Sequence, residues 1–192
     1  MKRIEALRVI VDRTPDLPVT ATCAATSREL AAVSDRDNHL YLLDSMGLTV
    51  SVGTGLALGI ADTKVSRSVV IDGDGSLLMN LSALATAGYL APENLVILLL
   101  DNGVYASTGG IPTQAAKLDL GAIAESMGLQ VLHAVDTTEL ETVVQRTLAE
   151  PGPWFVHVRI DPGNEPNIPL LLIDPVVHAD RFRRWLTSRI AA

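Results

Sequence analysis

The sequence predicts an α/β protein: a doubly wound, mostly parallel sheet with helices on both faces. Three observations lead there. Short apolar runs of strand length alternate with stretches of helical period along the chain, the order expected of strand–helix–strand units in a parallel sheet. Aromatic residues are only 4% while Ala, Leu and Val dominate, and the strongest run, residues 95–100, reads Leu-Val-Ile-Leu-Leu-Leu. Strands covered on both faces look like this. Two runs end in short acidic, glycine-bearing turns, Gly73-Asp74-Gly75 and Asp101-Asn102-Gly103, at the carboxyl ends where such sheets bind ligands.

Taken in order, Ile4, Leu7, Ile10 and Val11 share one helical face, so the chain opens with a helix ending before Pro15. Residues 18–23 read as a first strand. Residues 26–30 follow as a short helix whose hydroxyl side chains suit its cap. Residues 38–43 form a second short strand, and Asp44-Ser45-Met46-Gly47 a turn. Residues 48–61 are helical by length despite Gly53, Gly55 and Gly59, which cost helix stability and imply close packing on a neighbour. The strand 68–71 leads into a helix from Ser76 to about Leu90. That helix is apolar nearly all round (Leu77, Leu78, Met79, Leu81, Leu84), hence buried against another chain as well as its own sheet.

After the 95–100 strand, residues 103–110 read as a loop, with three glycines and two hydroxyl residues. Asp119 caps a helix through Met127, stopped by Gly128, and 130–134 is a strand. Thr138 with Glu141 forms a capping box for a helix to about Ala149. Pro151-Gly152-Pro153 breaks it; 154–160 is the last strong strand and 161–169 a loop. Pro175, Val177, Phe182, Trp185 and Leu186 mark a closing amphipathic helix. Without an internal repeat or a second domain, residues 1–192 are expected to form one domain.

Composition removes several function classes. Hydrophobic residues make up 48% of 192, which suits a globular chain. Net charge is -7 and no basic run exceeds Arg183-Arg184, so nucleic acid and anionic membranes are not expected partners. The single cysteine, Cys23, allows no intrachain disulfide. The start, MKRIEALR, lacks the apolar segment of a signal peptide, and the apolar runs are far shorter than a membrane span. The expected location is the cytoplasm.

Asp74 and Asn102 lie 28 positions apart, one strand–helix–strand unit. Such a unit sets two short oxygen-bearing side chains at neighbouring strand ends. That suits Mg²⁺, which takes few protein oxygens and fills its octahedron with phosphate and water. The glycines let backbone approach a ligand, and amides at the start of the Ser76 helix would face phosphates. Alone, a GDG is only a tight strand-to-helix turn. A nucleotide module is disfavoured because neither GxGxxG nor Gly-Lys-Ser/Thr occurs.

GDG, then 25 residues, then Asp-Asn resembles the cofactor motif of thiamine-diphosphate (ThDP) enzymes. The resemblance implies that Asp74, Asn102 and the backbone carbonyl of Val104 hold Mg²⁺. Asp101 replaces the first Asn of the family's pair, a position that is not a ligand. Met46, 28 positions before Asp74, looks like the apolar wedge that bends ThDP, with the Asp44 backbone carbonyl accepting from the aminopyrimidine. Otherwise Met46 is a gap-filling core methionine. Ser45, Gly47, Gly73, Gly75, Ser76 and Tyr105 join the cofactor-binding set, and Ser107, Thr108, Gly109 and Gly110 would close the diphosphate side.

DGDGSLLMNLSALAT, DNGVYASTGG, SREL and SMG are similar to the sulfopyruvate and phosphonopyruvate decarboxylase families, over roughly residues 19–160. The similarity implies decarboxylation of a small 2-oxo acid with an anionic head group, releasing an aldehyde and CO₂. It also implies a partner, a pyrimidine-binding α subunit supplying the activating glutamate, because this chain has room for the diphosphate domain only. The head group needs cations or amides. Arg28, beside Ser27 in the SREL segment, is the first candidate; His39, Lys117 and Arg159 are others, each otherwise a solvated charge. His133 and His157 read as half-buried strand residues and His178 as part of the last helix. A rival reading is a non-catalytic subunit that binds ThDP for assembly or regulation.

Overall fold

The computed structural model describes residues 1–191. Its elements are α1 (Arg3–Arg13), β1 (Val19–Ala21), α2 (Ala25–Val33), β2 (His39–Tyr41), α3 (Thr49–Gly59), β3 (Ser68–Gly73), α4 (Asp74–Met79), α5 (Ser82–Leu90) and β4 (Leu95–Asp101). There follow β5 (Val104–Tyr105), β6 (Ile111–Pro112), α6 (Leu120–Ser126), β7 (Gln130–Ala134), α7 (Thr137–Ala149), β8 (Trp154–Arg159) and α8 (Pro175–Ile190). Six strands form one sheet in the order β2-β1-β3-β4-β8-β7, with every pair parallel. The chain runs outward from β1 to β2, returns to β3 on the other side of β1, and continues away. The sheet is therefore doubly wound, with a switch point between β1 and β3.

The central strands alternate between two buried layers. Val96, Leu98 and Leu100 of β4 face a core with Leu7 and Ile10 of α1, Leu30 of α2, and Leu140 and Val144 of α7. Leu95, Ile97 and Leu99 face the other core, with Val50 of α3, Leu77 of α4, Leu84 of α5 and Leu120 of α6. Side chains alternate faces along a strand, so an uninterrupted apolar run is what a two-sided core requires. α8 covers the β2 edge: the Tyr41 N–H donates to His178 Nε2 at 2.8 Å, and their rings stack 4.8 Å apart. An edge amide is thus satisfied by a side chain. No helix among the described residues is long and apolar enough to cross a membrane.

Several local expectations change. The expected helix from Ser76 to about Leu90 is two helices. α4 begins two residues earlier, at Asp74, and ends at Met79. Asn80 leaves the helix (φ −147, ψ 57) because its amide donates to the Gly47 carbonyl at 3.0 Å. Nor is this stretch buried all round within the chain: Leu77 and Leu84 are buried, whereas Met79 is 59% exposed. The expected loop 103–110 carries β5 and a 3₁₀ turn, and β5 pairs with β6 as a small antiparallel ribbon. α7 has no Thr138–Glu141 capping box; the Asp136 carboxylate caps it, accepting from Thr138 and Glu139 N–H at 2.9 Å each, since Asp is the stronger acceptor at that position. Thr26 and Ser27 do not cap α2 either. Its N-cap is Ala24 at φ +61, and the Ser27 hydroxyl donates to the Thr22 carbonyl at 2.5 Å. Gly53 does pack closely, a Cβ there meeting Val70 Cγ2 at 1.9 Å, but Gly55 and Gly59 have no neighbour within 4 Å.

Candidate functional site

The carboxyl ends of β1, β3 and β4 open into one cleft of about 150 Å³, at the switch point. Its walls include Thr22 and Cys23 after β1, Gly73 to Ser76 after β3, and Asn102, Val104 and Tyr105 after β4. Met46, Arg3, Arg28 and Asn164 close the sides. The sheet thereby brings together the two turns that lie 28 residues apart in sequence.

At the β3 turn, Asp74 is 2% exposed. One carboxyl oxygen accepts from the Thr113 hydroxyl at 2.5 Å, the other from Asn102 N–H at 3.4 Å. Burial raises its pKa above the carboxylate norm, the Thr113 bond opposes this, and nearby Asp101 raises it further. A cation at this place would offset that cost. Gly75 is needed for a close approach: a Cβ there would stand 2.5 Å from Tyr105 Cε1. At the β4 turn, Asn102 Oδ1 accepts from Val104 N–H at 3.1 Å, and Gly103 sits at φ +69. Asp101 points elsewhere, taking His157 Nε2 at 2.7 Å and Arg159 Nη1 at 2.9 Å. Burial disfavours its charge, but those two partners outweigh it and hold Asp101 below the usual carboxylate range.

The Met46 turn is latched onto α4. Asp44 and Gly47 take positive φ, +54 and +89. Gly47 N–H donates to Ser76 Oγ at 3.0 Å, and its carbonyl accepts from Asn80. Ser45 donates to the Leu43 carbonyl at 3.2 Å. The Ser76 hydroxyl also takes a bond from Thr22 Oγ1 at 3.0 Å. It is thus committed inside the protein, leaving the Ser76 backbone amide, in the first turn of α4, as its group toward a phosphate. Beneath lies Asp72, fully buried; burial pushes its carboxyl up to about 6, opposed by the neighbouring hydroxyls, Ser76 first, and by the bond from Gly73 N–H at 2.9 Å.

The candidate cations separate. Arg28 lines the cleft and donates from Nη2 to the Ile168 carbonyl at 2.7 Å and from Nε to that of Pro169 at 3.3 Å. Neither acceptor is charged, so its positive charge is uncompensated. Ser27, Arg28 and Asp44 also line an adjoining groove of about 440 Å³, walled by Leu170 and Leu172. His39 is not at the site. It begins β2, opposite Val19 at the other end of the strands, is fully buried, and is held neutral, its pKa lowered to about 4 by burial and then by Arg36. Lys117 and Arg159 line a different cleft, with His133 and His157. Sequence reasoning missed Arg3, which lines the cleft from α1 paired to Glu29 at 2.8 Å. It also missed Thr113, Thr22 and Asn164. None carries a local signal, since each reaches the site through contacts distant in sequence.

The donors fit magnesium diphosphate chemistry. One buried carboxylate, one amide oxygen and one backbone carbonyl are hard oxygen ligands that leave positions for phosphate oxygens. Among the described residues no group of three or more His, Cys, Asp or Glu offers an all-protein metal cage. The match to known proteins agrees: residues 22–158 match the model of the thiamine pyrophosphate enzyme C-terminal TPP binding domain. The chain belongs to the thiamine pyrophosphate enzymes. This ThDP-binding domain is 43% identical to the sulfopyruvate decarboxylase subunit beta of Methanothermobacter thermautotrophicus, over 95% of this chain and 94% of that one. It is 41% identical to the phosphonopyruvate decarboxylase of Streptomyces viridochromogenes, over 97% of this chain but 46% of the relative, so it spans about half of that protein. The benzoylformate decarboxylase of Polynucleobacter necessarius superposes with a TM-score of 0.71 at 19% identity, over 84% of this chain and 33% of that one. That likeness shows a shared fold.

Proposed function

We propose that the chain is the ThDP-binding subunit of a heteromeric decarboxylase converting 3-sulfopyruvate to sulfoacetaldehyde and CO₂. The observation that carries this reading is end-to-end likeness to a sulfopyruvate decarboxylase β subunit, in a chain whose cleft holds the Asp74 and Asn102 turns side by side. Asp74, Asn102 and the Val104 carbonyl would hold Mg²⁺ on the diphosphate, and the amides opening α4 would face its oxygens. Met46 would support the bend of the cofactor, and the Asp44 carbonyl would accept from the aminopyrimidine. Bound ThDP supplies the electron sink for loss of CO₂.

Arg28 is our choice for the head-group cation. Two of its five guanidinium hydrogens go to carbonyls, which leaves a charge and three donors on a side chain that lines the cleft. Arg3 is neutralised by Glu29. One uncompensated positive charge matches a singly charged sulfonate better than a phosphonate, which carries up to two charges. Phosphonopyruvate is the second reading, favoured by the 41% identical relative.

A partner is required on this reading. The cleft, about 150 Å³, is smaller than the roughly 300–1,000 Å³ that encloses a drug-sized ligand. A pyrimidine-binding α subunit would supply the remaining walls and the activating glutamate, in an assembly of at least α₂β₂ working in the cytoplasm. Exposed Met79, Tyr89 and Leu90 on α4 and α5 suit a subunit contact. The test is aldehyde formation from sulfopyruvate, phosphonopyruvate and pyruvate, with and without the α subunit. Turnover confined to the mixture and highest on sulfopyruvate is expected. Full turnover by this chain alone, or a preference for pyruvate, would overturn the proposal.

A further inference from the structure

His157 interrupts an otherwise apolar strand. From Trp154 to Val158 every residue of β8 is buried, and His157 itself is 3% exposed. A position serving only the core would be apolar, because a buried imidazole is unfavourable unless its nitrogens are bonded. The bond it makes is to Asp101: His157 Nε2 stands 2.7 Å from Oδ2. Arg159 Nη1 reaches the same oxygen at 2.9 Å. A carboxylate paired with an arginine can only accept, so Nε2 carries the hydrogen of this bond.

Asp101 carries that hold to the turn after β4. Its other oxygen, Oδ1, accepts from Gly103 N–H at 3.0 Å. Gly103 sits at φ +69, and its carbonyl accepts from Thr113 N–H at 2.9 Å. The Thr113 hydroxyl in turn donates to Asp74 Oδ2 at 2.5 Å. One row of contacts thus runs from His157 through Asp101, Gly103 and Thr113 to Asp74. Gly103 lies in its middle, between Asn102 and Val104, the other two proposed magnesium ligands. An asparagine at 101 could accept from Gly103 N–H, but its amide hydrogens would then meet the His157 and Arg159 donors. A carboxylate accepts on both sides.

We propose that His157 is a positioning residue for the magnesium half of the cofactor site: by donating to Asp101 Oδ2 it holds Oδ1 on Gly103 N–H, and so fixes the 102–104 turn relative to Asp74. The inference rests on the ThDP reading above. Glutamine at 157 keeps a side-chain N–H for Asp101, whereas leucine suits the apolar strand but removes the donor. Without that donor the carboxylate swings toward Arg159, whose side chain is half exposed, and Gly103 N–H loses its fixed acceptor.

The test compares wild type, His157→Leu, His157→Gln and Asp101→Ala. Hydrogen exchange of the Gly103 amide is read in the full chain without cofactor. The Mg²⁺ concentration that half-saturates ThDP binding is read in the chain assembled with its α subunit. His157→Leu is expected to speed Gly103 exchange and raise the Mg²⁺ requirement, each by about tenfold, the scale of one hydrogen bond to a charged group. ThDP affinity at saturating Mg²⁺ should recover, which a general loss of stability would not allow. His157→Gln should stay within about threefold of wild type on both readouts. Adding His157→Leu to Asp101→Ala should change nothing further, because both act through one carboxylate. If His157→Leu fails to fold, Asp101→Ala alone must release the Gly103 amide. Wild-type Gly103 exchange or Mg²⁺ requirement in His157→Leu, additive effects in the double variant, or a protected Gly103 in Asp101→Ala would each overturn the proposal. Absence of ThDP binding by the wild-type complex would instead refute the functional reading, and Gly103 exchange would still decide whether His157 and Asp101 hold the turn.

Discussion

Gly75→Ala isolates the close approach of backbone and ring at the cofactor turn. The added Cβ would stand 2.5 Å from Tyr105 Cε1 and 2.7 Å from Cδ1, where carbon atoms prefer about 3.5–4.0 Å. The ring must therefore move by about 1 Å or more. It is half-buried, and its hydroxyl makes one long contact, 3.5 Å to Gln114 Oε1, so it can swing toward the cleft mouth. Overpacking of this kind costs about 1–3 kcal/mol. In the apo chain a gain of about 1 kcal/mol in helix propensity offsets part of that, so the unfolding midpoint should change little. With Mg²⁺-ThDP the displaced ring occupies cofactor space, and binding should weaken roughly 5- to 150-fold at 1.4 kcal/mol per tenfold. Isothermal titration of the complex reads the affinity directly. Gly75→Ala combined with Tyr105→Ala should bind as tightly as Tyr105→Ala alone, the clash being gone. Wild-type affinity in Gly75→Ala, or no recovery in the double variant, would refute the reasoning.

Three further outcomes follow from named contacts. Arg28→Gln should raise KM for sulfopyruvate by about tenfold or more while ThDP affinity stays unchanged, and Arg28→Lys should recover only part of the loss, lacking the guanidinium fork; an unaltered KM in Arg28→Gln removes Arg28 from the substrate. His39 and Asp72 should make stability depend on pH with opposite signs. His39 has its pKa lowered from 6.5 to about 4, so its contribution is lost as pH falls through that window; Asp72 has its pKa raised from 3.8 to about 6, so its contribution is lost as pH rises through that one. Each is worth at most roughly 3 kcal/mol. Urea midpoints from pH 4 to 6.5 should be nearly flat in wild type, fall with rising pH in His39→Gln, and fall with falling pH in Asp72→Asn; equal slopes in the two variants contradict the assignment. Asp136→Ala should cost about 1 kcal/mol as a lost helix cap, lowering Tm by about 2–4 °C, whereas Glu141→Ala should not; thermal unfolding distinguishes them.

The fold was legible because its signals are local. Leu95 to Leu100 needs no partner to read as a strand covered on both faces, and an Asp or Gly at its end reads as a turn whatever lies beyond. The pairing of Asp74 with Asn102 was legible for the same reason, since one strand–helix–strand unit fixes the distance between neighbouring strand ends. Failures came where a side chain chose a distant partner over a nearby one. Asn80 left its helix for the Gly47 carbonyl. Ser27 is a different case, a local one: its hydroxyl donates to the Thr22 carbonyl five residues back instead of capping the helix. His39, equivalent in sequence to any strand histidine, lies at the wrong end of β2 to meet the cleft, because only the strand's direction decides that. Arg3 reaches the cleft by crossing to Glu29 and Asn164, a contact spanning 161 residues that no window of sequence displays.

The central claim is that the Asp74 and Asn102 turns hold Mg²⁺ on ThDP, and thermal unfolding of wild type and Asp74→Ala with and without Mg²⁺-ThDP tests it most directly. A ligand at a hundred times its dissociation constant stabilises the folded state by about 2.7 kcal/mol. For a chain of this length that corresponds to a rise in Tm of about 5–10 °C. The account predicts that rise in wild type, a smaller one in Asn102→Ala, and none in Asp74→Ala. A ThDP-dependent rise in Asp74→Ala equal to that of wild type would contradict it.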